Sequence, residues 1–166
     1  MAGEELPTGY LEAGEEYLAA VQKLGLRPRL AGWGWEESSA RWLLVLATSI
    51  YDAGGPFEMN ELLFKAYNAG ITPKQISPFI VRVFSPEILP AYALDAIPGE
   101  QEYTAHDPMT KEETARFKGY ITLDLYGTKV SALHLYHTKN IAAPMSYMER
   151  QREWQKFRKN VEKLAA

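Results

Sequence analysis

The sequence predicts a mainly α-helical domain with one β-hairpin, of α+β class, ending in a long C-terminal helix. Three observations carry this expectation. Apolar residues recur at helical spacing in the first half of the chain. The period falls to two between Phe117 and Thr138. Ser146-Tyr-Met-Glu149 is a capping box that opens a striped final segment.

At 166 residues the chain fits a single domain, 1–166, long enough to bury a core without staples. Its parts are an N-terminal helix with a Trp/Gly loop (1–35), a helical core (36–84), a helix with an acidic loop (85–116), the hairpin (117–139) and the C-terminal helix (146–166). With no cysteine there is no disulfide, thiolate nucleophile or Cys-ligated zinc. The most apolar run, Trp42 to Ala47, is far shorter than the ~20 residues that span a bilayer. The start, MAGEELPTGY, does not read as a signal peptide, so a cytoplasmic location with no membrane partner is expected. A net charge of −3 argues against a protein that coats nucleic acid generally. The charge is nonetheless uneven: Glu4, Glu5, Glu12, Glu15 and Glu16 crowd the first twenty residues, whereas Arg150, Arg152, Lys156, Arg158, Lys159 and Lys163 dominate the last helix, so head and tail can attract.

Tyr10 to Leu24 reads as an amphipathic helix with Leu11, Leu18, Val21 and Leu24 inward, ended by Gly25. RPRLAGWGWEE is not helical and is expected to be a glycine-rich loop, its tryptophans plugging a core edge or stacking on a flat ligand. ARWLLVLATSIY, capped by Ser38 or Ser39 and apolar on nearly all sides, is expected to be the central buried helix. Asp52-Ala-Gly-Gly-Pro then makes a turn. Ser85-Pro86-Glu87 starts a further helix running to about Ala96, and GEQEYTAHDPMTKEE is polar, turn-rich and expected to be a loop. GYITLDLY and KVSALHLYHT alternate about a Gly127-Thr128 turn, a register that pairs Leu125 with Val130, Leu123 with Ala132 and Ile121 with His134. Both hairpin faces are partly apolar, so helices cover one and another element or chain the other. Asn140 to Met145 connects to the last helix, whose stripe of Tyr147, Trp154, Phe157, Val161 and Leu164 docks on its own domain or pairs with its copy.

The most suggestive stretch is Glu58 to Phe84. Met59, Leu62, Leu63, Ala66 and Tyr67 fall on one helical face, Gly70 suits a left-handed C-terminal residue, and Ile71 packs back on the last turn. Thr72, with Pro73 and Gln75, opens a second helix. Pro78 lies inside it: either the helix stops near Ile76 or Ser77 and Phe79 to Phe84 forms a short strand, or it continues kinked. Ala66, Ala69, Gly70, Ile71, Ile76 and Phe79 resemble the small and apolar slots of a helix-turn-helix. With the order of elements, the chain resembles winged-helix regulators of the MarR-like kind. That resemblance implies a dimer on double-stranded DNA, Lys74, Gln75 and Ser77 facing the major groove, and Lys129 at the wing tip touching phosphate. It also implies a homodimer through the outer helices, and so through Trp154, Phe157, Val161 and Leu164.

Enzymatic signals are missing: there is no P-loop, dinucleotide fingerprint, nucleophile elbow or zinc-protease helix, and no catalytic residue, cofactor or metal is expected. His134 and His137 point to opposite sides of a strand and cannot share a metal; His134 reads as a core histidine. His106, beside Asp107, reads as an exposed loop residue before a metal ligand with Glu102 or Glu112. Two other functions stand beside the DNA-binding regulator. One is a non-catalytic protein-interaction or assembly subunit using the aromatic loop, the hairpin and the C-terminal helix. The other is a small-molecule-binding domain with a pocket between Trp33, Trp35, His134 and Tyr136.

Overall fold

The structure, a computed structural model, describes residues 5–138 and 145–166. It is not a mainly helical winged-helix domain: a five-stranded mixed sheet dominates it. The chain runs α1 (Tyr10–Lys23), β1 (Leu30–Glu36), β2 (Arg41–Ala47), α2 (Tyr51–Asn68), β3 (Val81–Phe84), α3 (Ala91–Leu94), β4 (Gln101–His106), β5 (Glu113–Gly119), β6 (Thr122–Leu125), β7 (Thr128–Leu135) and α4 (Tyr147–Leu164). The sheet order is β3-β2-β1-β7-β6, with β2 and β3 parallel and the other pairs antiparallel.

The central element is a strand where a buried helix was expected. Arg41–Ala47 lies between β1 and β3, and Leu43 to Ala47 are all buried. A strand covered on both faces needs no polar side, so its continuous apolar run carries no period that separates it from a buried helix. The expected Trp/Gly loop is strand β1, its Trp33 facing one core and Leu30 the other. Gly34 is there for close approach: a Cβ would lie 2.6 Å from Thr128 Cγ2 across the β1–β7 pair.

Helix α2 begins earlier than expected. The Asp52-Ala-Gly-Gly-Pro turn is absorbed as a kink at Gly55 and Pro56. Its C-terminus is as read: Gly70 has φ 76°, its N–H reaches Tyr67 O at 3.0 Å, and Ile71 N–H reaches Ala66 O at 2.9 Å, the paired bonds of a Schellman cap. No second helix follows. Ser77 caps a single 3₁₀ turn, Pro78–Ile80, and the chain enters β3, the strand left open by Pro78. The helix expected from Ser85 is likewise only a 3₁₀ turn, Pro86–Ile88, because Pro90 forces Leu89 extended (ψ 142°) before the short α3 begins.

The hairpin is β6–β7, but its register differs from the expected one. Leu125 faces Thr128 and Leu123 faces Val130. The turn is Tyr126-Gly127, both at positive φ (53° and 87°), with Asp124 Oδ1 accepting from Gly127 N–H at 3.0 Å. The shift is an even number of residues, so Leu123, Leu125 and Val130 still share the buried face. The segment read as an acidic loop is a second hairpin, β4–β5.

Helices α1, α2 and α4 cover one face of the sheet around Tyr17, Val21, Trp33, Leu44, Leu46, Leu63 and Phe157. The other face packs Val45, Phe84, Leu89, Ala93, Leu123, Leu125 and Val130. The sheet curls enough to bring its ends together. Tyr126 stacks on Phe84 at 6.2 Å and donates to Ile88 O at 2.8 Å.

Ser146 and Glu149 form both halves of the expected capping box. The connector expected over Asn140 to Met145 falls, except for Met145, outside the described residues.

Candidate interaction surface

The residues assigned to a DNA groove have structural duties. Lys74 donates to Tyr67 O at 2.7 Å and lies over the Tyr67 ring at 4.5 Å, closing the negative end of α2. Ser77 accepts from Phe79 N–H, and Gln75 lines a cleft beside Trp33 and Ile76. No helix carries these three, so the expected reading helix is absent: Pro78 removes a backbone donor where the helix had to continue. Lys129 lies on β7 at 2.7 Å from Glu37, and that hydrogen bond pushes its ammonium above the usual range.

The middle of the C-terminal stripe is spent within the chain, and its ends, Tyr147 and Leu164, are exposed. Trp154, Phe157 and Val161 are buried against the helical face of the sheet, and Leu164 remains exposed. The Trp154 indole fills the space over Gly54, where a Cβ would meet it at 2.3 Å. Arg150 reaches Glu87 at 2.6 Å and Asp52 at 4.0 Å, and Asn160 donates to Leu24 O at 2.8 Å. Three of the four residues assigned to a dimer, Trp154, Phe157 and Val161, hold α4 on its own body.

The four residues expected to line a ligand pocket lie near one another in two separate groups. Trp33 Nε1 donates to both Tyr10 O and Tyr136 Oη at 2.9 Å, and Tyr136 Oη donates to Leu11 O at 2.7 Å. This anchor ties the start of α1 to the sheet. Burial pushes the Tyr136 phenol up to about 12. Trp35 meets Trp42 edge-on at 5.4 Å, and Trp42 meets His134 edge-on at 5.5 Å. Burial holds the His134 imidazole below its usual pKa. His134 Nδ1 and Trp42 Nε1 are buried with no hydrogen-bond partner among the described residues.

Glu36, which the sequence reading passed over, closes the end of the curled sheet. Ser39 donates to it, Arg41 lies at 3.2 Å and Arg82 at 2.5 Å. The Ser39 hydrogen bond first, and then the two arginines, hold its carboxyl below the usual range. Arg82 also reaches Thr128 Oγ1 at 3.4 Å, linking β3 to β7.

What remains uncommitted is the β4–β5 hairpin. No residue of this arm belongs to either core, and each strand's substantial packing partner among the elements is the other. The ladder puts Tyr103 opposite Phe117 and Ala105 opposite Ala115 on one face. Glu102 opposite Lys118 and Thr104 opposite Arg116 occupy the other face. The two rings stack at 5.5 Å, yet Phe117 is 55% exposed. On the charged face Arg116 pairs with Glu113. The tip is built rather than slack: Asp107 Oδ1 accepts from Met109 and Thr110 N–H at 2.8 Å, and Met109 is held out at 90% exposure.

His106, read as an exposed loop residue, is exposed on β4 across from Glu113. Among the described residues no group of three His, Asp or Glu side chains is placed to hold a metal ion, and no helix is long and apolar enough to cross a membrane. No protein-family model matches the chain, no curated protein matches it, and no solved structure matches it.

Proposed function

We propose that this chain is a non-catalytic assembly subunit whose docking element is the β4–β5 arm. The single observation behind this reading is an ordered two-stranded ribbon with an apolar face turned to water. A lone hairpin is marginal in water, because cross-strand pairs worth ~0.2–1 kcal/mol each oppose ~1–2 kcal/mol of backbone entropy per ordered residue. The arm has no core of its own to offset that deficit. A protein surface laid on Tyr103, Ala105, Ala115 and Phe117 removes that apolar area from water and supplies the missing stabilisation. Of the elements from which the sequence suggested an interaction surface, Trp33 of β1, Leu123, Leu125 and Val130 of the β6–β7 hairpin, and Trp154, Phe157 and Val161 of α4 are occupied inside the fold.

The test replaces residues 102–118 with a short glycine-serine turn. The expected result is a chain that melts at the same temperature as the original but loses the original's higher-mass species in sedimentation. An unchanged mass distribution, or a collapse of the melting transition, refutes the reading.

A further inference from the structure

The arm's apolar face is patterned along its length as well as across it. The large row, Tyr103 with Phe117, lies two residues from the small row, Ala105 with Ala115, nearer the tip. The spacing between rows is therefore ~7 Å. A two-fold axis lying in the plane between two facing ribbons, perpendicular to their strands and placed midway between the rows, maps large onto small. We infer that the arm's partner is a second copy of this chain, the two arms lying face to face and antiparallel with Tyr103 and Phe117 of each over the partner's Ala105 and Ala115. This inference rests on the assembly reading above and specifies the partner.

Three features of the ribbon fit this arrangement. Facing sheets pack ~10 Å apart, a gap that one aromatic layer over one alanine layer fills and two aromatic layers overfill. The parallel arrangement puts ring on ring and methyl on methyl, leaving one row crowded and the other hollow. The same axis carries the tip of each arm to the base of the other. There the highly exposed Met109 comes over the zone of Ile121, which is 37% exposed. The charged face, with Glu102, Arg116 and Lys118, stays in water on the outside of the pair. Because the contact is isologous it closes on itself and yields a dimer, not a fibre. A ribbon ~20 Å long offers an interface at or below the ~1,000 Å² of lasting complexes, so the dimer exchanges and its population depends on concentration.

The chain contains no cysteine, so single thiols report geometry without background. Chains carrying Ala115→Cys and Phe117→Cys are prepared separately, mixed, and treated with a bis-maleimide that spans about the ~10 Å between packed sheets. Sedimentation of the original chain from low to high micromolar concentration runs alongside, with Ala115→Trp and the arm-replaced chain as controls. Expected are a monomer–dimer equilibrium, a mixed 115–117 cross-link several-fold more abundant than either homotypic one, and a monomer for Ala115→Trp at unchanged melting temperature. A chain that stays monomeric across the range overturns the second-copy partner and, having no higher-mass species to lose, the assembly reading with it. A dimer lost on arm replacement but cross-linked mainly 117 to 117 overturns the antiparallel pairing and leaves the assembly reading standing. A dimer that survives arm replacement overturns both.

Discussion

Alanine for glycine in the middle of a helix ordinarily stabilises by up to ~1 kcal/mol, and at Gly14 in α1 we expect the opposite sign. The residue is buried on the sheet-facing side of the helix. A Cβ there would lie 2.1 Å from Tyr136 Oη, 2.8 Å from Trp33 Nε1 and 2.9 Å from Tyr136 Cζ. None of these is the loose end of a flexible chain, because the phenol and the indole hold each other and also bond the carbonyls of Tyr10 and Leu11. Overpacking of a fixed neighbour costs ~1–3 kcal/mol, and displacing the phenol breaks hydrogen bonds worth ~1 kcal/mol each. After subtracting the helix gain, Gly14→Ala should lose about 1–3 kcal/mol, a fall in Tm of roughly 3–10 °C for a chain of this size. Tyr136→Phe alone should cost about 1 kcal/mol. Combined with Gly14→Ala it removes the closest clashing atom, so the double variant should cost about 1 kcal/mol less than the sum. Urea unfolding followed by tryptophan fluorescence measures all three chains. If Gly14→Ala is neutral or stabilising, or if the two changes simply add, the anchor between α1 and the sheet is not the rigid contact described.

The other predictions concern separate sites. Trp154→Ala should destabilise by about 3–5 kcal/mol, as for a fully buried aromatic, read from the same urea curves. Gly54→Ala should lose stability too, because a Cβ there would meet the buried indole of Trp154 at 2.3 Å. Glu36, whose folded-state pKa is depressed, contributes stability that is present above the unfolded carboxylate value and lost as pH falls through the lower folded one. Acid titration of the melting temperature should therefore be flatter for Glu36→Gln than for the original chain. Tyr136 works in the other direction: its contribution is complete below the unfolded value of 10.0 and lost as pH rises through about 12. Tyr136→Phe should remove one late step from the ultraviolet phenolate titration; an unchanged curve refutes the assignment. Lys74→Ala should cost no more than about 1 kcal/mol, since its contacts are exposed.

Legibility in the sequence followed the kind of signal each element carries. Chain ends of helices were readable because capping is local chemistry: Gly70 with Ile71, and Ser146 with Glu149, stand where the sequence put them. The fold class was misread at the most buried strand. From Leu43 to Ala47 every side chain is buried, so no alternation survives to mark a strand, and only its β-bonded neighbours decide. The expected second helix after Thr72 failed because good starting chemistry cannot outweigh a proline in the next turn. In the arm the alternation was present: Tyr103 and Ala105 among Glu102, Thr104 and His106, then Ala115 and Phe117 around Arg116. Polarity hid it, since Asp107-Pro108 and the flanking acids gave the whole segment the composition of a loop. The ion pair that closes the sheet was least legible of all. Glu36 and Arg82, 46 residues apart, meet only because the sheet curls, and nothing local announces that pairing.

On the proposed reading, the arm's position in the fold separates association from stability. It leaves the body where β5 runs into β6, and the body closes beneath it with Gly99 N–H on Ala132 O at 2.7 Å and Ala132 N–H on Ile121 O at 2.9 Å. Changes beyond that seam touch neither core. Substitutions at Tyr103, Ala105, Ala115 or Phe117 therefore act on association with little effect on folding, whereas those at Trp33, Trp154 or Glu36 act on folding first. The charged side of the ribbon follows the same division. Glu102 faces Lys118 across its two strands on that side, so of the ribbon's two faces the apolar one is the face whose burial is worth gaining.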